Sequence, residues 1–247
     1  MANTTRSFFA DQMTTVSSPE NKDPKSAHLY KHSFIWTRIY HTIRVYITHG
    51  LTDLLHGAGA TWGPMSTVVE GTVPCHGCPA AISNPNPVEV TLADGKTKAV
   101  LLHYDTMNNP HGADHGIDRQ VWSHDDGQSW VQDEAIAYPP QNNVGGLVGP
   151  SAGIQAADGT IYFSTRGAGA VVGAGGWLYW SKDFGKTWRA SAATKGAASE
   201  CSIAFKVSAA DGAILMNCRT GTHNRAQLEW NANGTLLKPA GASNISL

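Results

Sequence analysis

Two charged residues near the ends of strand-like runs are the first candidates for chemistry. Glu200 lies in GAASECSIAF, and Arg219 closes the run AILMNCR. A carboxylate can raise the reactivity of a neighbouring nucleophile, and a guanidinium stays charged and pairs bidentately with a carboxylate. Taken alone, Glu200 is typical of a surface carboxylate at a strand edge, and Arg219 is typical of a surface cation or an outer ion pair.

The four cysteines are a second group with possible chemistry. CHGC places Cys75 close to Cys78, but a zinc site needs four ligands, with a second pair at a compatible spacing. Cys201 and Cys218 lie in apolar runs typical of strands. The sequence therefore predicts buried free thiols rather than a metal or redox centre.

Two glycine-containing stretches offer weaker alternatives. The stretch HGADHGID carries four residues of metal-ligand type, His111, Asp114, His115 and Asp118. Three of them would have to converge, and a loop of this composition usually stays solvated. GAGAVVGAGG contains Gly-x-Gly but precedes the strand-like GWLYW rather than a helix, so a dinucleotide-binding turn is not indicated. Neither a metal nor a cofactor is predicted.

The composition limits the class of protein. The 247 residues carry a net charge of −1, with 41% hydrophobic and 15% charged residues, which gives no reason to expect nucleic acid as a partner. The longest apolar region, FIWTRIYHTIRVYI, is interrupted by charged residues, so no membrane span is predicted. MANTTRSFFADQ lacks the pattern of a signal peptide. We expect a soluble chain whose compartment the sequence does not indicate.

The elements that would position the charged residues are short strands. Residues 39–48 alternate between apolar and polar side chains, which is strand periodicity. Three Asp-Gly pairs between alternating apolar runs predict hairpins; they are Asp94-Gly95, Asp158-Gly159 and Asp211-Gly212. Residues 1–33 are polar without a period and predict a poorly ordered leader.

One octapeptide pattern, Ser-x-Asp-x-Gly-x-(Ser/Thr)-Trp, occurs twice, as SHDDGQSW at Ser123–Trp130 and SKDFGKTW at Ser181–Trp188. Ser and Asp side chains can bond the amides of a turn, Gly accepts a positive φ, and Trp is expected to pack back on its hairpin. Degenerate copies end in GATW at Gly59–Trp62 and lie in WNANGTL at Trp230–Leu236. A period of about 50–70 residues with four strands per unit indicates a β-propeller.

This octapeptide resembles the Asp-box, or BNR repeat, of the sialidase (neuraminidase) family. Three further segments resemble that family in the same order: SNPNPVEV, VGPSAGIQAADGTIYF and SECSIAFKVSAADGAILMNCR. The resemblance implies an all-β, six-bladed propeller of the sialidase type, here with about four blades. It implies a divergent, partly disordered segment at residues 1–57 and a partial propeller domain at residues 58–247.

The resemblance also implies a function, that of an exo-α-sialidase, a glycoside hydrolase that releases terminal sialic acid from sialylated glycoconjugates. Sialidase sites resembling this one use three arginines that bind the sugar carboxylate, an aspartate acid/base, and a tyrosine nucleophile activated by a glutamate. By position in the matching strands, Glu200 corresponds to that catalytic glutamate and Arg219 to the second arginine. Asn84, in the Asn-Pro loop, would line the sugar pocket.

The chain departs from the family pattern at both ends. The region before Ala58 has no clear counterpart of the first arginine or of the acid/base, and neither Arg38 nor Asp53 is assigned a role. No tyrosine matches the nucleophile, and the third arginine is not found either, so the match to the family is expected to be incomplete at both ends. The alternative function is a catalytically inactive propeller fragment that at most binds sialylated glycans. Open propeller edges would offer a surface for self-association.

Overall fold

The structure is a computed structural model of an all-β chain. It describes residues 7–10, 34–39, 42–47, 66–70, 81–107, 117–136, 151–166, 176–192, 199–206, 212–220 and 225–243. These residues form sixteen strands in four antiparallel sheets of four strands each, and no helix occurs among them. Accordingly, the described part of the chain contains no helix of the length and apolarity needed to cross a membrane.

The first compact unit covers Met1–Glu70 and contains one sheet. Its strands follow one another in chain order, β1 (Ser7–Ala10), β2 (Phe34–Ile39), β3 (Thr42–Ile47) and β4 (Ser66–Glu70). The alternation over residues 39–48 predicted strand structure, and β3 confirms it. β1 lies within the segment predicted to be a poorly ordered leader. The unit ends at Glu70, whereas the sequence places the domain boundary after residue 57; that domain assignment stays a prediction.

The second compact unit, Gly71–Leu247, contains three sheets, each an up-and-down meander. Sheet I comprises β5 (Ala81–Thr91), β6 (Lys98–Met107), β7 (Ile117–Ser123) and β8 (Val131–Ala135). Sheet II comprises β9 (Ile154–Gln155), β10 (Ile161–Arg166), β11 (Gly176–Ser181) and β12 (Arg189–Ala190). Sheet III comprises β13 (Ser199–Phe205), β14 (Ile214–Arg219), β15 (Arg225–Trp230) and β16 (Leu236–Ser243). Each sheet thus has four antiparallel strands, which is the blade pattern that the sequence repeat predicted.

The Asp-Gly hairpins form where the sequence predicted them. Gly95 connects β5 to β6 with φ 69°, and Gly159 connects β9 to β10 with φ 87°. The Asp94 carboxylate accepts hydrogen bonds from the amides of Lys96 and Thr97, which closes the first turn. Of the third pair, Gly212 lies before β14 with φ 67°, and Asp211 lies outside the described residues.

The first octapeptide is a turn held by its own side chains. Ser123 Oγ donates to Asp125 Oδ1 at 2.9 Å and accepts the Gly127 amide at 2.7 Å. Asp125 Oδ1 also accepts the amide of Ser129 at 2.8 Å. Asp126 and Gly127 have φ values of 57° and 80°, the left-handed region that glycine adopts without strain. The spacing of the pattern thus places each side chain beside the amide that it must satisfy.

The second octapeptide repeats this geometry. Ser181 Oγ accepts the Gly185 amide at 2.8 Å, and Asp183 Oδ1 accepts the Thr187 amide at 2.8 Å. The degenerate copy WNANGTL uses an amide in place of the carboxylate, since Asn231 Oδ1 accepts the Thr235 amide at 2.8 Å. The other degenerate copy, GATW, lies outside the described residues.

The tryptophans of the two octapeptides differ in what they contact. Trp130 packs back on its own turn as predicted, with Nε1 donating to the carbonyl of Gly127 at 3.2 Å. Trp188 instead is buried, and its Nε1 donates to Gln120 Oε1 on β7 of the neighbouring sheet at 3.1 Å. Trp188 therefore packs on its own hairpin as predicted, with its ring centroid 5.3 Å from that of Tyr179 on β11, and in addition contacts the neighbouring sheet, which the sequence did not predict.

Sheet II has its two faces packed against the two neighbouring sheets. All six residues of β11, GWLYWS, are buried, as expected for a continuous apolar run covered on both faces. Toward sheet III, Leu178 and Trp180 join a cluster with Ile203, Met216 and Trp230. Toward sheet I, Tyr179 joins Phe163, Trp188, Leu101 and Trp122. The core of the second unit thus consists of two layers of side chains, one on each face of sheet II.

Side-chain hydrogen bonds join the sheets to one another. The amide of Gln155 accepts from the backbone N–H of Thr91 at 2.7 Å and donates to its carbonyl at 2.9 Å, so it substitutes for a peptide group between β9 and β5. Tyr162 donates to the carbonyl of Ala232, in the turn between β15 and β16 of sheet III, at 2.9 Å. These bonds satisfy polar groups at the sheet boundaries that burial would otherwise leave unpaired.

Cys201 and Cys218 form a disulfide, so the prediction of free thiols was wrong for these two residues. They are directly opposite each other on the antiparallel strands β13 and β14, with their Cα atoms 4.0 Å apart. The two thiols meet because of strand register, which the sequence spacing alone does not reveal. Cys75 and Cys78 lie outside the described residues.

The fold places one titratable ring in the core. His103 on β6 is fully buried, stacked on Phe163 with ring centroids 4.1 Å apart. Its Nδ1 lies 2.8 Å from the Tyr179 hydroxyl. Burial lowers the pKa of His103 to about 3, so the imidazole stays neutral in the folded protein throughout the physiological range.

The hydrogen bonds of Gln155 give a test of how the sheets are joined. Gln155→Leu removes both bonds to Thr91 and leaves a partly buried N–H and C=O without that partner, so we expect a loss of about 2 kcal/mol in the free energy of unfolding. Urea denaturation of the purified chain measures it. Gln227→Leu, an identical change at an exposed position of β15, should alter stability by less than about 0.5 kcal/mol. Equal effects of the two changes would contradict the assigned role.

The neutral His103 predicts a pH dependence. Above its ordinary pKa of 6.5 both the folded and the unfolded chain carry a neutral imidazole, and His103 makes no pH-dependent contribution. As the pH falls from 6.5 toward about 3, the unfolded chain binds a proton that the folded chain does not, so stability falls by up to about 1.4 kcal/mol per pH unit.

His103→Gln keeps a neutral hydrogen-bonding group and removes the titration. Denaturation curves of both proteins between pH 4.5 and 7.5 should show the original protein losing stability relative to the variant as the pH falls. A constant difference between the two across this range would show that His103 is not held neutral.

Candidate functional site

Glu200 lies in a bulge at the start of sheet III. The register of β13 against β14 shifts between Ser199 and Cys201, which leaves Glu200 as the extra residue. Its φ is 47°, a left-handed conformation that costs a non-glycine residue on the order of 1 kcal/mol or more. Bulges re-aim a side chain out of the regular alternation of a strand, and strained positions of this kind concentrate at functional sites.

Arg219 lies beside it, at the end of β14, where its backbone pairs with Ser199. Arg219 Nε is 2.8 Å from Glu200 Oε2. The side chains are 57% and 41% exposed respectively, so the ion pair is accessible to solvent and adds little to stability. The structure therefore brings together two of the three predicted site residues, in a place where a ligand could reach both.

A second guanidinium shares this end of sheet III, and the sequence analysis did not identify it. Arg225 begins β15 directly opposite Arg219 in the strand register. Its Nε donates to Asn217 Oδ1 at 2.7 Å, which orients the side chain across β14. Asn217 and Arg219 are two residues apart and therefore share one face of β14, which the sequence alone indicates. That Arg225 lies next to them follows from the strand register, which only the folded sheet supplies.

The third predicted residue, Asn84, lies on β5 of sheet I. It falls where the register of β5 shifts between Ser83 and Asn86, and its side chain is outside the part of the chain that the structure describes. Asn86, two residues later, is buried and accepts the Ser151 amide at 2.9 Å. A pocket-lining role for Asn84 stays a prediction.

The described tyrosine side chains all lie in the core. Tyr104 accepts a hydrogen bond from Arg119 Nε at 3.1 Å, and Tyr179 contacts His103. Burial raises the pKa of Tyr162, whose hydroxyl donates to a backbone carbonyl. The carboxylate of Glu200 has the guanidinium of Arg219 as its ion-pair partner.

The metal alternative gains no support from the described residues. They contain no group of three or more histidine, cysteine, aspartate or glutamate side chains placed to hold an ion. Of the four candidate ligands in HGADHGID only Asp118 belongs to the described part, where it is buried on β7. The three other members of that group lie outside it.

Solved structures share this fold at low sequence identity. A Hadza microbial sialidase, Hz136, superposes with a TM-score of 0.65 and 20% identity, covering 87% of this chain and 44% of the sialidase. NanB with Optactamide superposes with a TM-score of 0.63 and 14% identity, covering 87% of this chain and 50% of NanB. Zg3597, a family 117 glycoside hydrolase from the marine bacterium Zobellia galactanivorans, superposes with a TM-score of 0.56 and 11% identity. The superposition covers 96% of this chain and 75% of Zg3597.

These superpositions confirm the predicted fold class, an all-β propeller of the sialidase type. The chain spans about half the length of the first two solved structures. A search of curated proteins by sequence found no significant match. The model of the BNR repeat-like domain family matches residues 47–246, which is most of the chain. Together with the two octapeptide turns and the four-stranded sheets, this match shows that the chain belongs to the BNR repeat-like domain family.

Proposed function

We propose that this chain is a glycoside hydrolase domain of the exo-α-sialidase type, which releases terminal sialic acid from glycoconjugates. The observation that carries the proposal is the solvent-accessible ion pair of Glu200 and Arg219 at a strained bulge. A carboxylate and an arginine in that position suit a negatively charged sugar, and a fold shared with solved sialidases supports the same substrate class.

Arg219 would bind the carboxylate of the sugar. A guanidinium carries five N–H donors in a planar fork, so an arginine that gives its Nε–H to Glu200 retains donors for a second carboxylate. The pairing with Glu200 at 2.8 Å fixes the plane of the guanidinium before a ligand arrives, which lowers the entropic cost of binding. Arg225, directly opposite, adds positive charge at the same sheet end.

Glu200 would act on the reacting centre. In hydrolysis of a sialoside, positive charge develops at the anomeric carbon, and a fixed carboxylate near a nucleophile both stabilises that charge and raises the reactivity of the nucleophile. The nucleophile, the acid/base and the remaining arginines are not assigned to residues of this chain. Asn84 is proposed to line the sugar pocket.

A second candidate function is glycan binding without hydrolysis. The observation that favours it concerns the tyrosines: those whose side chains are described are buried and hydrogen-bonded away from Glu200. A site that has a carboxylate-binding arginine and lacks a nucleophile would retain affinity for a sialylated glycan and lose turnover. Self-association of the chain stays a separate prediction.

Hydrolysis of a fluorogenic α-sialoside distinguishes these functions. We expect Glu200→Gln to lower kcat by about 100-fold or more, since it removes the charge that activates the nucleophile. Arg219→Ala should lower kcat/KM by about 10- to 100-fold, the loss expected for charge-assisted hydrogen bonds. Arg189→Ala, at an exposed arginine of β12, is the matched control and should leave both constants unchanged.

A folded chain without turnover would exclude the hydrolase. In that case, calorimetric titration with N-acetylneuraminic acid tests the binding function, with Arg219→Ala expected to abolish the heat of binding and Arg189→Ala to preserve it. Absence of both turnover and binding from the folded, unsubstituted chain would contradict both functions.

A further inference from the structure

The Cys201–Cys218 disulfide lies immediately beside the candidate site. Cys201 directly follows Glu200, and Cys218 directly precedes Arg219. The two half-cystines are Cα partners in the register of β13 and β14, and the bulge that contains Glu200 begins at the next position. A single covalent bond therefore joins the two strands next to both members of the ion pair.

The disulfide is itself anchored to the core. Both half-cystines are almost completely buried, at 1% and 0% exposure, whereas the neighbouring charged side chains are exposed. The carbonyl of Cys201 accepts a hydrogen bond from Ser164 Oγ of sheet II at 2.8 Å. On its buried side, the bridge lies close to Gly176: a Cβ atom added to this glycine would be 3.4 Å from the sulfur atom of Cys201 and 3.4 Å from that of Cys218. The bridge thus fixes the sheet end from its buried face.

Without the disulfide, two features would favour rearrangement of this end of sheet III. An exposed ion pair contributes little energy of its own, and the positive φ of Glu200, 47°, favours relaxation of the bulge. A one-residue shift in strand register moves a side chain to the opposite face. Loss of the bulge would therefore carry Glu200 away from Arg219.

We propose that the Cys201–Cys218 disulfide is a positioning element that holds Glu200 and Arg219 in the paired geometry required for ligand binding. The consequence for a ligand rests on the proposed function, but the consequence for the ion pair does not. The residues involved are positioning residues, since the sulfur atoms are buried and act only through the two charged side chains.

The test compares two variants without the disulfide, Cys201→Ala/Cys218→Ala and Cys201→Val/Cys218→Ala. The second refills the volume of the bridge with apolar atoms and guards against a failure of the first to fold. Solvent exchange of the Arg219 Nε–H is followed by ¹⁵N NMR, with Arg219→Lys used to assign the signal. We expect this exchange to accelerate severalfold in both variants, at temperatures well below their unfolding transitions.

Affinity for N-acetylneuraminic acid provides a second measurement on the same proteins. We expect the dissociation constant to increase about tenfold on loss of the bridge, in both variants. Refilling the cavity in the Val/Ala variant should recover part of the lost melting temperature without recovering the exchange rate or the affinity. Gln155→Leu, which destabilises the protein while leaving the bridge intact, should change neither.

A Val/Ala variant with the exchange rate of the unsubstituted protein would overturn the proposal, since apolar packing would then suffice. A Gln155→Leu variant whose Arg219 exchange accelerates equally would overturn it too, because general destabilisation would explain the effect. If the unsubstituted chain neither hydrolyses the sialoside nor binds the sugar, the proposed function fails, and the Arg219 exchange rates still decide whether the bridge positions the ion pair.

Discussion

Burial of both faces of sheet II is the constraint on which the rest of the second unit depends. A strand such as β11, with every residue buried, satisfies its apolar side chains only if a sheet lies on each side. Sheet I supplies one covering face and sheet III the other. At about 25 cal/mol per Å² of apolar surface removed from water, the two layers dominate the favourable energy of this unit.

Packing three sheets face to face also creates boundaries where polar groups must be paired. Gln155, Trp188 and Tyr162 each make a hydrogen bond from sheet II to a neighbouring sheet. The octapeptide turns belong to this class of structural feature: their Ser, Asp and Gly residues build the turn, and Trp188 makes the contact to sheet I. Their contribution is structural, and they have no direct part in the proposed chemistry.

The candidate site lies at the solvent-accessible edge of this packed core. Glu200 and Arg219 occupy strand ends with accessible side chains, while Cys201 and Cys218, which adjoin them in sequence, are buried in the core. At Arg219 the alternation of a β-strand makes this possible, because adjacent residues point to opposite faces, whereas at Glu200 the bulge interrupts that alternation. Two strands joined by a disulfide thereby present two opposite charges to solvent, and under our proposal the bridge holds these charges in the arrangement that a small charged ligand requires.

The sequence by itself determined the all-β class, the Asp-Gly hairpins and the octapeptide turns, since each depends on residues close together in the chain. Glu200 and Arg219 were proposed as site residues from the resemblance to the sialidase family, and that role stays a prediction. Only the tertiary structure decided that Cys201 and Cys218 are bonded, that Trp188 packs on sheet I, that Glu200 lies in a bulge, and that Arg225 lies opposite Arg219. Those features depend on strand register and on which sheets are neighbours. Both are set by the summed burial of many side chains distant in sequence, a quantity that no local pattern of residues contains.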